Sequence, residues 1–295
     1  MFRLGYNTNG LAHHRPADAL RLVSELGYEA LALTPDPGCL DPWNLNAREL
    51  SDLGSWSEEL GMALVIETGS RYLLDAKRKH FPTLLEASSI DRGRRLDFLK
   101  RCVDMAAALG AGVVSIWSGA APTGLAGDWP APEATAENAA AVEVTWSRLV
   151  AGTAELLQFA DGSGVQLAFE PEPGMFVAQP AGYGELLERL GKLGDGLGLT
   201  LDVGHCLVTG DDVTETICRW APWLVNVHLD DIAGGQHEHR MFGEGDLDLG
   251  AALRALVEVG FADVAAVELS RDSHRGPVAA REAMEHIRCA LGRAH

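Results

Sequence analysis

Short apolar runs of strand length alternate with longer stretches of helical period along the whole chain. The runs are RLGYN (3–7), YEALALT (28–34), MALVIE (62–67) and GVVSIW (112–117), followed by others at 165–170, 198–203, 224–229 and 263–269. Between them, apolar residues recur at helical spacing near 15–27, 46–61, 91–110, 135–162, 180–193, 212–221, 248–259 and 277–292. Several of these stretches end in glycine where a helix stop is expected, as in SELGY, EELGM, AALGA and VEVGF. Strand and helix alternating eight times predicts βαβ units with a parallel sheet, and eight units close into a (β/α)₈ TIM barrel. No internal repeat or linker interrupts the pattern, so residues 1–295 read as one domain.

Two strand-to-helix connections exceed the usual length, 68–90 after the third strand and 118–134 after the fourth. The first carries Arg71, Lys77, Arg78, Lys79 and His80 and reads either as a solvated loop or as a lid meeting an anionic or polyhydroxylated substrate. The second is rich in proline, glycine and alanine.

Every strand of such a barrel ends at one face, so its last residues matter most. Glu170 closes VQLAFEP, Asp202 closes LTLDVGH, His228 lies in VNVHLDD and Glu268 in VAAVELS, at separations of 32, 26 and 40 residues. A carboxylate ending an apolar strand has no packing purpose, and buried charge requires a partner. For either glutamate alone, an ion pair with a barrel arginine is the alternative. Four such residues at successive strand ends point instead to one divalent ion. Three carboxylates and one imidazole suit Mn²⁺, Mg²⁺, Co²⁺ or Zn²⁺. An ion there polarises a substrate oxygen and stabilises an enediolate, while Glu170 and Glu268 work as acid and base across the carbon.

Around these ligands, His205 follows Asp202 in D-V-G-H, where a glycine turn aims it into the cavity as a substrate contact, a second-metal ligand or a partner of a ligand. The segment HEHRMFGEGDLDL places His237, His239 and Arg240 ahead of two glycines. Arg240 and His239 read as contacts to substrate oxygens, and Glu244 as a local ion-pair partner. Asn7, Asn9, Glu67 and Trp117 also stand at strand ends and are candidates to line the pocket.

Composition narrows the classes. A formal charge of −18 and a pI near 4.9 oppose binding to nucleic acid or an anionic membrane. No run of 18 apolar residues and no signal-peptide pattern occurs, which sets the expected location as the cytoplasm. Cys39, Cys102, Cys206, Cys218 and Cys289 are odd in number and widely spaced, the usage of reduced thiols.

Glu after strand five, Asp-x-x-His after strand six, His-x-Asp after strand seven with a later H-R-M-x-G-x-G, and Glu after strand eight together resemble the xylose isomerase-like superfamily of sugar isomerases and epimerases. The resemblance implies that Glu170, Asp202, His228 and Glu268 bind Mn²⁺ or a similar ion and that Glu170 and Glu268 are catalytic. It also makes His205 and Arg240 substrate contacts and a homodimer or homotetramer the expected assembly. Where ketose 3-epimerases carry a second glutamate a few residues after the first ligand, this chain has Phe176, with Glu172 closer in.

The expected activity is epimerisation or isomerisation of a sugar or cyclitol by proton abstraction beside a carbonyl. A dehydratase or lyase acting on a keto-sugar or keto-cyclitol shares that first step and differs in needing an acid, His239 or His205, at the leaving group. An endonuclease IV-like enzyme would need further histidines after strands three and four, where Glu67 and Trp117 stand. A metabolite-binding barrel without catalysis gives the paired glutamates no purpose.

Overall fold

The computed structural model describes residues 2–37, 40–121 and 138–292. Eight parallel strands close into a barrel in chain order: β1 (Arg3–Asn7), β2 (Ala30–Leu33), β3 (Ala63–Glu67), β4 (Val113–Ile116), β5 (Gln166–Phe169), β6 (Leu197–Asp202), β7 (Leu224–Leu229) and β8 (Val264–Val267). Pairing of Arg3 with Val264 and of Tyr6 with Val267 joins the first strand to the last. Helices α1 (Pro16–Leu26), α2 (Ala47–Glu59), α3 (Ser89–Leu109), α4 (Ala139–Ala160), α5 (Pro180–Leu190), α6 (Val203–Thr209), α7 (Val213–Trp220), α8 (Leu249–Glu258) and α9 (Gly276–Gly292) accompany them.

Helix boundaries follow local chemistry. Pro16 opens α1, and side chains of Asn46, Ser88, Asp212 and Asp248 accept from the first-turn N–H groups of α2, α3, α7 and α8. Gly27, Gly61, Gly110 and Gly260 all adopt positive φ at the expected stops.

Alternation within each strand decides which side chains face the barrel axis. One set, including Leu31, Leu33, Ile66, Val114, Ile116, Phe169, Leu201 and Val267, packs outward against helical residues such as Leu20, Phe98, Leu149, Leu186, Leu253 and Ile287. The other set is small and forms a separate inner cluster of Ala30, Ala32, Val65, Val113, Ala168, Val264 and Ala266. Higher inside the barrel the lining turns polar. Ser115 Oγ and Thr200 Oγ1 are 2.8 Å apart, and the Asn226 amide donates to Glu67 at 3.0 Å. Two residues beyond Ser115, Ala168, Thr200, Asn226 and Ala266 come Trp117, Glu170, Asp202, His228 and Glu268, so strand parity alone delivers them to one mouth.

The sequence pattern contains no α6. Asp202 ends β6 and also caps this short helix, accepting from His205 N–H at 3.0 Å. Gly204 therefore lies within a first helical turn rather than the tight turn expected of D-V-G-H. A Cβ there would stand 2.3 Å from Asp230 Oδ1, which is what requires glycine. The connection 68–90 is partly interior, with Thr83, Leu84 and Leu85 buried. Most of 118–134 lies outside the described residues, as does Cys39. The other four cysteines are free thiols.

Candidate metal centre and active site

Glu170, Asp202, His228 and Glu268 each offer a ligand atom, and these four atoms lie within 4.8 Å of one another. His228 is the hub. Its Nδ1 faces Glu268 Oε2 at 2.9 Å, Glu170 Oε1 at 3.1 Å and Asp202 Oδ2 at 3.8 Å. Its Nε2 meets Glu67 Oε1 at 3.0 Å.

The charges are unbalanced. Burial alone would lower the His228 pKa, but Glu67, Glu170 and Glu268 outweigh it and hold the imidazole well above its ordinary value. Burial raises Glu170 and raises Asp202 further, the latter with help from Asp230. Glu268 moves the other way, because the attraction of His228 overcomes burial. Asp202 Oδ2 is buried with no hydrogen-bond partner among the described residues. Three carboxylates around one imidazole, with an orphaned oxygen among them, fit a divalent cation supplying the missing positive charge.

Neighbouring groups fix this cluster. The Asn9 amide donates to Glu268 Oε1 at 2.6 Å, and Asn7 Oδ1 accepts from Asn9 N–H at 3.0 Å and from the Thr34 hydroxyl at 2.9 Å. Glu172 lines the same cavity, its pKa pushed up to about 8 by burial and by Glu170 and Glu268. His205 projects from α6 with Nδ1 3.2 Å from the Pro171 carbonyl. His239 Nδ1 stands 2.7 Å from Asp230, whose charge overcomes burial and raises His239 to about 10.

The opposite wall comes from the long basic loop. Arg71, Lys79 and His80 line the cavity, Arg71 pairing with Asp36 at 3.2 Å. Burial lowers the His80 pKa to about 4, and the Trp117 ring meets it edge-on. Arg95, fully buried, donates to Ser70 Oγ at 2.7 Å and to the Thr68 carbonyl at 2.9 Å, with its guanidinium 4.3 Å from the Trp117 centroid. Lys77 and Arg78 are exposed and do not line the cavity, Arg78 pairing with Asp75.

Of the residues expected at the site, Asn7, Glu67, Trp117, Glu170, His205, His228, His239 and Glu268 line the cavity, and Asp202 lies against it. Arg240 is not among the lining residues. Its guanidinium bonds Glu238 at 2.9 Å, and Glu238 also reaches Arg271 at 3.1 Å. Glu238, not Glu244, is thus its ion-pair partner. Three contributors were given no role by the sequence, although Asp230 is the Asp of the His-x-Asp motif. Asp230 holds His239. Asp231 accepts from the N–H groups of Ile232, Gly243, Gly245 and Leu247 at 2.8–2.9 Å, pinning the loop after β7. Arg95 had a signal, because it shares the helical stripe of Phe98, Leu99, Cys102 and Ala106.

The geometry is that of a closed (β/α)₈ barrel with a carboxylate-rich candidate metal cluster at its C-terminal mouth. Residues 20–289 match the family of xylose isomerase-like TIM barrels, and the chain belongs to that family. Fructoselysine 3-epimerase of Shigella flexneri is 24% identical over 99% of this chain and 97% of that protein. An uncharacterized protein of Methanocaldococcus jannaschii is 26% identical over 39% of this chain, a match that spans 40% of that protein. Among solved structures, L-ribulose 3-epimerase superposes with a TM-score of 0.75 at 19% identity, covering 100% of this chain and 96% of its own. The IOLI protein with a binding zinc atom gives 0.75 at 18% identity and 99% coverage of both chains. No helix among the described residues is long and apolar enough to cross a membrane.

Proposed function

We propose that this protein is a divalent-metal-dependent epimerase or isomerase of a sugar or cyclitol, moving a proton at a carbon beside a carbonyl. The observation that carries the reading is the pair Glu170 and Glu268, whose carboxylates face His228 Nδ1 at 3.1 and 2.9 Å within one cluster of potential metal ligands. Two carboxylates brought to one cavity beside a polarised carbon can serve as the base and the acid of a proton transfer. The activity of the fructoselysine 3-epimerase relative supports the same class.

Glu170, Asp202, His228 and Glu268 would hold the ion. When bound, it supplies Lewis acidity to a carbonyl or hydroxyl oxygen and so makes the neighbouring C–H more acidic. Glu268, fixed by the Asn9 amide at 2.6 Å, takes the proton. Glu170 returns one. Trp117 and Asn7 wall the substrate, His205 and His239 set a polar rim, and Glu67 orients His228 from behind. The loop 68–90 covers the mouth, placing Arg71 and Lys79 over hydroxyl-rich or anionic groups. Manganese as the ion, the cytoplasm as the location and a homodimer or homotetramer as the assembly complete the proposal.

Proton NMR of Mn²⁺-loaded protein in D₂O tests the reading, using a panel of free ketoses, inososes and 3-keto-glycosides. Deuterium entering a C–H position together with a new epimer or isomer is the expected result. An alkene or released aglycone would move the activity to the lyases. The absence of exchange across the panel would remove the proposed substrate classes.

A further inference from the structure

The connection 68–90 brings positive charge to the cavity of a chain whose net charge is −18. Arg71 and Lys79 line that cavity together with His80, Glu170, His228 and Glu268. The two cations are tied through one stretch of backbone. His80 N–H donates to the Arg71 carbonyl at 2.6 Å, and Arg71 N–H donates to the Gly69 carbonyl at 2.7 Å. That same Gly69 carbonyl, which only accepts, takes the proton of His80 Nδ1. Arg95 of α3 holds the stretch from inside the protein through the Thr68 carbonyl and Ser70 Oγ. Arg71 and Lys79 therefore stand on a fixed wall rather than on a free loop.

Charge around this wall does not balance. Arg78 and Arg94, close by in sequence, are spent on Asp75 and Asp91. Arg71 has a single acidic partner, Asp36 at 3.2 Å, and Lys79 forms no ion pair or hydrogen bond among the described residues. Arg95 is fully buried, forms no ion pair among the described residues, and leaves its Nε unpartnered. Burial lowers its pKa to about 10, which keeps it a cation at neutral pH. His80 adds no charge, because burial lowers its pKa to about 4. Three cations thus stand against one carboxylate. A buried guanidinium without a counter-charge is costly, and an anion carried in by a ligand would supply one.

We propose that the substrate carries a terminal anionic group, a carboxylate or a phosphate ester, and that Arg71 and Lys79 bind it. The guanidinium fork and the ammonium are the two side-chain chemistries that recognise such oxygens. The carboxylates of the metal cluster repel an anion, so this group lies on the loop side, at the end of the substrate away from the reacting carbon. An anion also approaches a chain of −18 against its field, which cations at the mouth reverse locally. The inference names the substrate class of the epimerase reading and rests on it for the reaction that follows.

Calorimetric titration of the Mn²⁺-loaded full chain with sorbitol, gluconate and sorbitol 6-phosphate tests binding apart from turnover, since none of the three is a ketone or an aldehyde. The expected result is that one charged polyol binds about 10-fold or more tightly than sorbitol, and that Lys79→Met reduces this preference by about 10-fold. Gluconate as the tighter ligand assigns a carboxylate, and sorbitol 6-phosphate a phosphate. Arg71→Gln gives a second reading of the same wall. Lys77→Met, exposed and off the cavity, keeps the wild-type preference. Circular dichroism and a melting curve establish that each variant is folded. Deuterium exchange is then followed with fructose, fructuronate and fructose 6-phosphate, which differ only at the terminal carbon. In Lys79→Met the loss is expected with the charged ketose and in KM.

Equal affinity for the three polyols, or no measurable binding of any, overturns the anion subsite. A preference for an anion that both Lys79→Met and Arg71→Gln leave intact also overturns it and puts that anion on the metal. Exchange with fructose alongside any of these results leaves the proposed function standing. An anion preference lost in both variants, with no exchange at any ketose, supports the subsite while withdrawing the proton transfer.

Discussion

Glu67 tests whether a residue on the far side of the barrel governs the metal centre. Its Oε1 lies 3.0 Å from His228 Nε2 and accepts from the Asn226 amide at 3.0 Å, while the Glu67 and His228 side chains are 8% and 2% exposed. Water therefore screens this contact little. Glu67→Gln preserves shape and one acceptor oxygen but removes the charge. A hydrogen bond to a charged group contributes about 1.5–3 kcal/mol and a neutral one about 0.5–1.5 kcal/mol, a difference of about 1–1.5 kcal/mol. At 1.4 kcal/mol per tenfold, metal affinity falls by about 10-fold, within the range found for residues that orient metal ligands. Glu67→Ala also strips Asn226 of its acceptor, and the loss approaches about 100-fold. Competition with a chromophoric chelator at fixed pH measures both, with circular dichroism establishing that each variant is folded. A Glu67→Gln affinity within twofold of wild type would show that the Glu67 charge does not act on the metal ligand His228. Unchanged metal affinity with a raised KM for the sugar would put Glu67 on the substrate, as its strand-end position first suggested.

Glu268→Gln should leave the fold intact and lower kcat by about 10²–10⁴-fold, and EDTA should abolish turnover reversibly; wild-type rates in the variant under saturating metal would reject the base. Gly204→Ala drives a methyl to 2.3 Å from Asp230 Oδ1, so urea unfolding should show a loss of about 1–3 kcal/mol, the usual result of overpacking, and an unchanged midpoint would show that the site yields freely. In the metal-free chain His239 is held up to about 10 by Asp230. Because folding raises this pKa, the stability it contributes is complete below about pH 6.5 and fades as pH climbs toward 10. Melting temperatures across that window should fall in wild type and flatten in His239→Gln, and parallel curves would discard the pair.

The residues that read clearly from sequence share one property. Glu170, Asp202, His228 and Glu268 each interrupt an apolar strand with a group that is costly to bury. That conflict shows in a single segment, without knowledge of what lies opposite. Arg240 read equally well and behaves differently. Its H-R-M-x-G-x-G setting is local, but the guanidinium pairs with Glu238, whose other oxygen holds Arg271, and is not among the cavity-lining groups. Helix α6 went unseen because V-G-H-C-L-V-T is short and begins inside a strand-end motif. Its start rests on the Asp202 carboxylate turning back to the His205 amide.

The eight alternating units, the helix stops and, through strand parity, the residues that end at the barrel mouth are all legible in the linear chain. Those properties arise from periodicity and local conformational preference, which act over a few residues at a time. The pairings exist only once the barrel has closed: Glu67 with His228 across 161 positions, Asn9 with Glu268 across 259, and Arg95 against Trp117. The charge balance followed from those pairings. Whether a buried group holds or gives up its proton depends on what stands within a few ångströms of it, and barrel closure brings those neighbours from opposite ends of the chain.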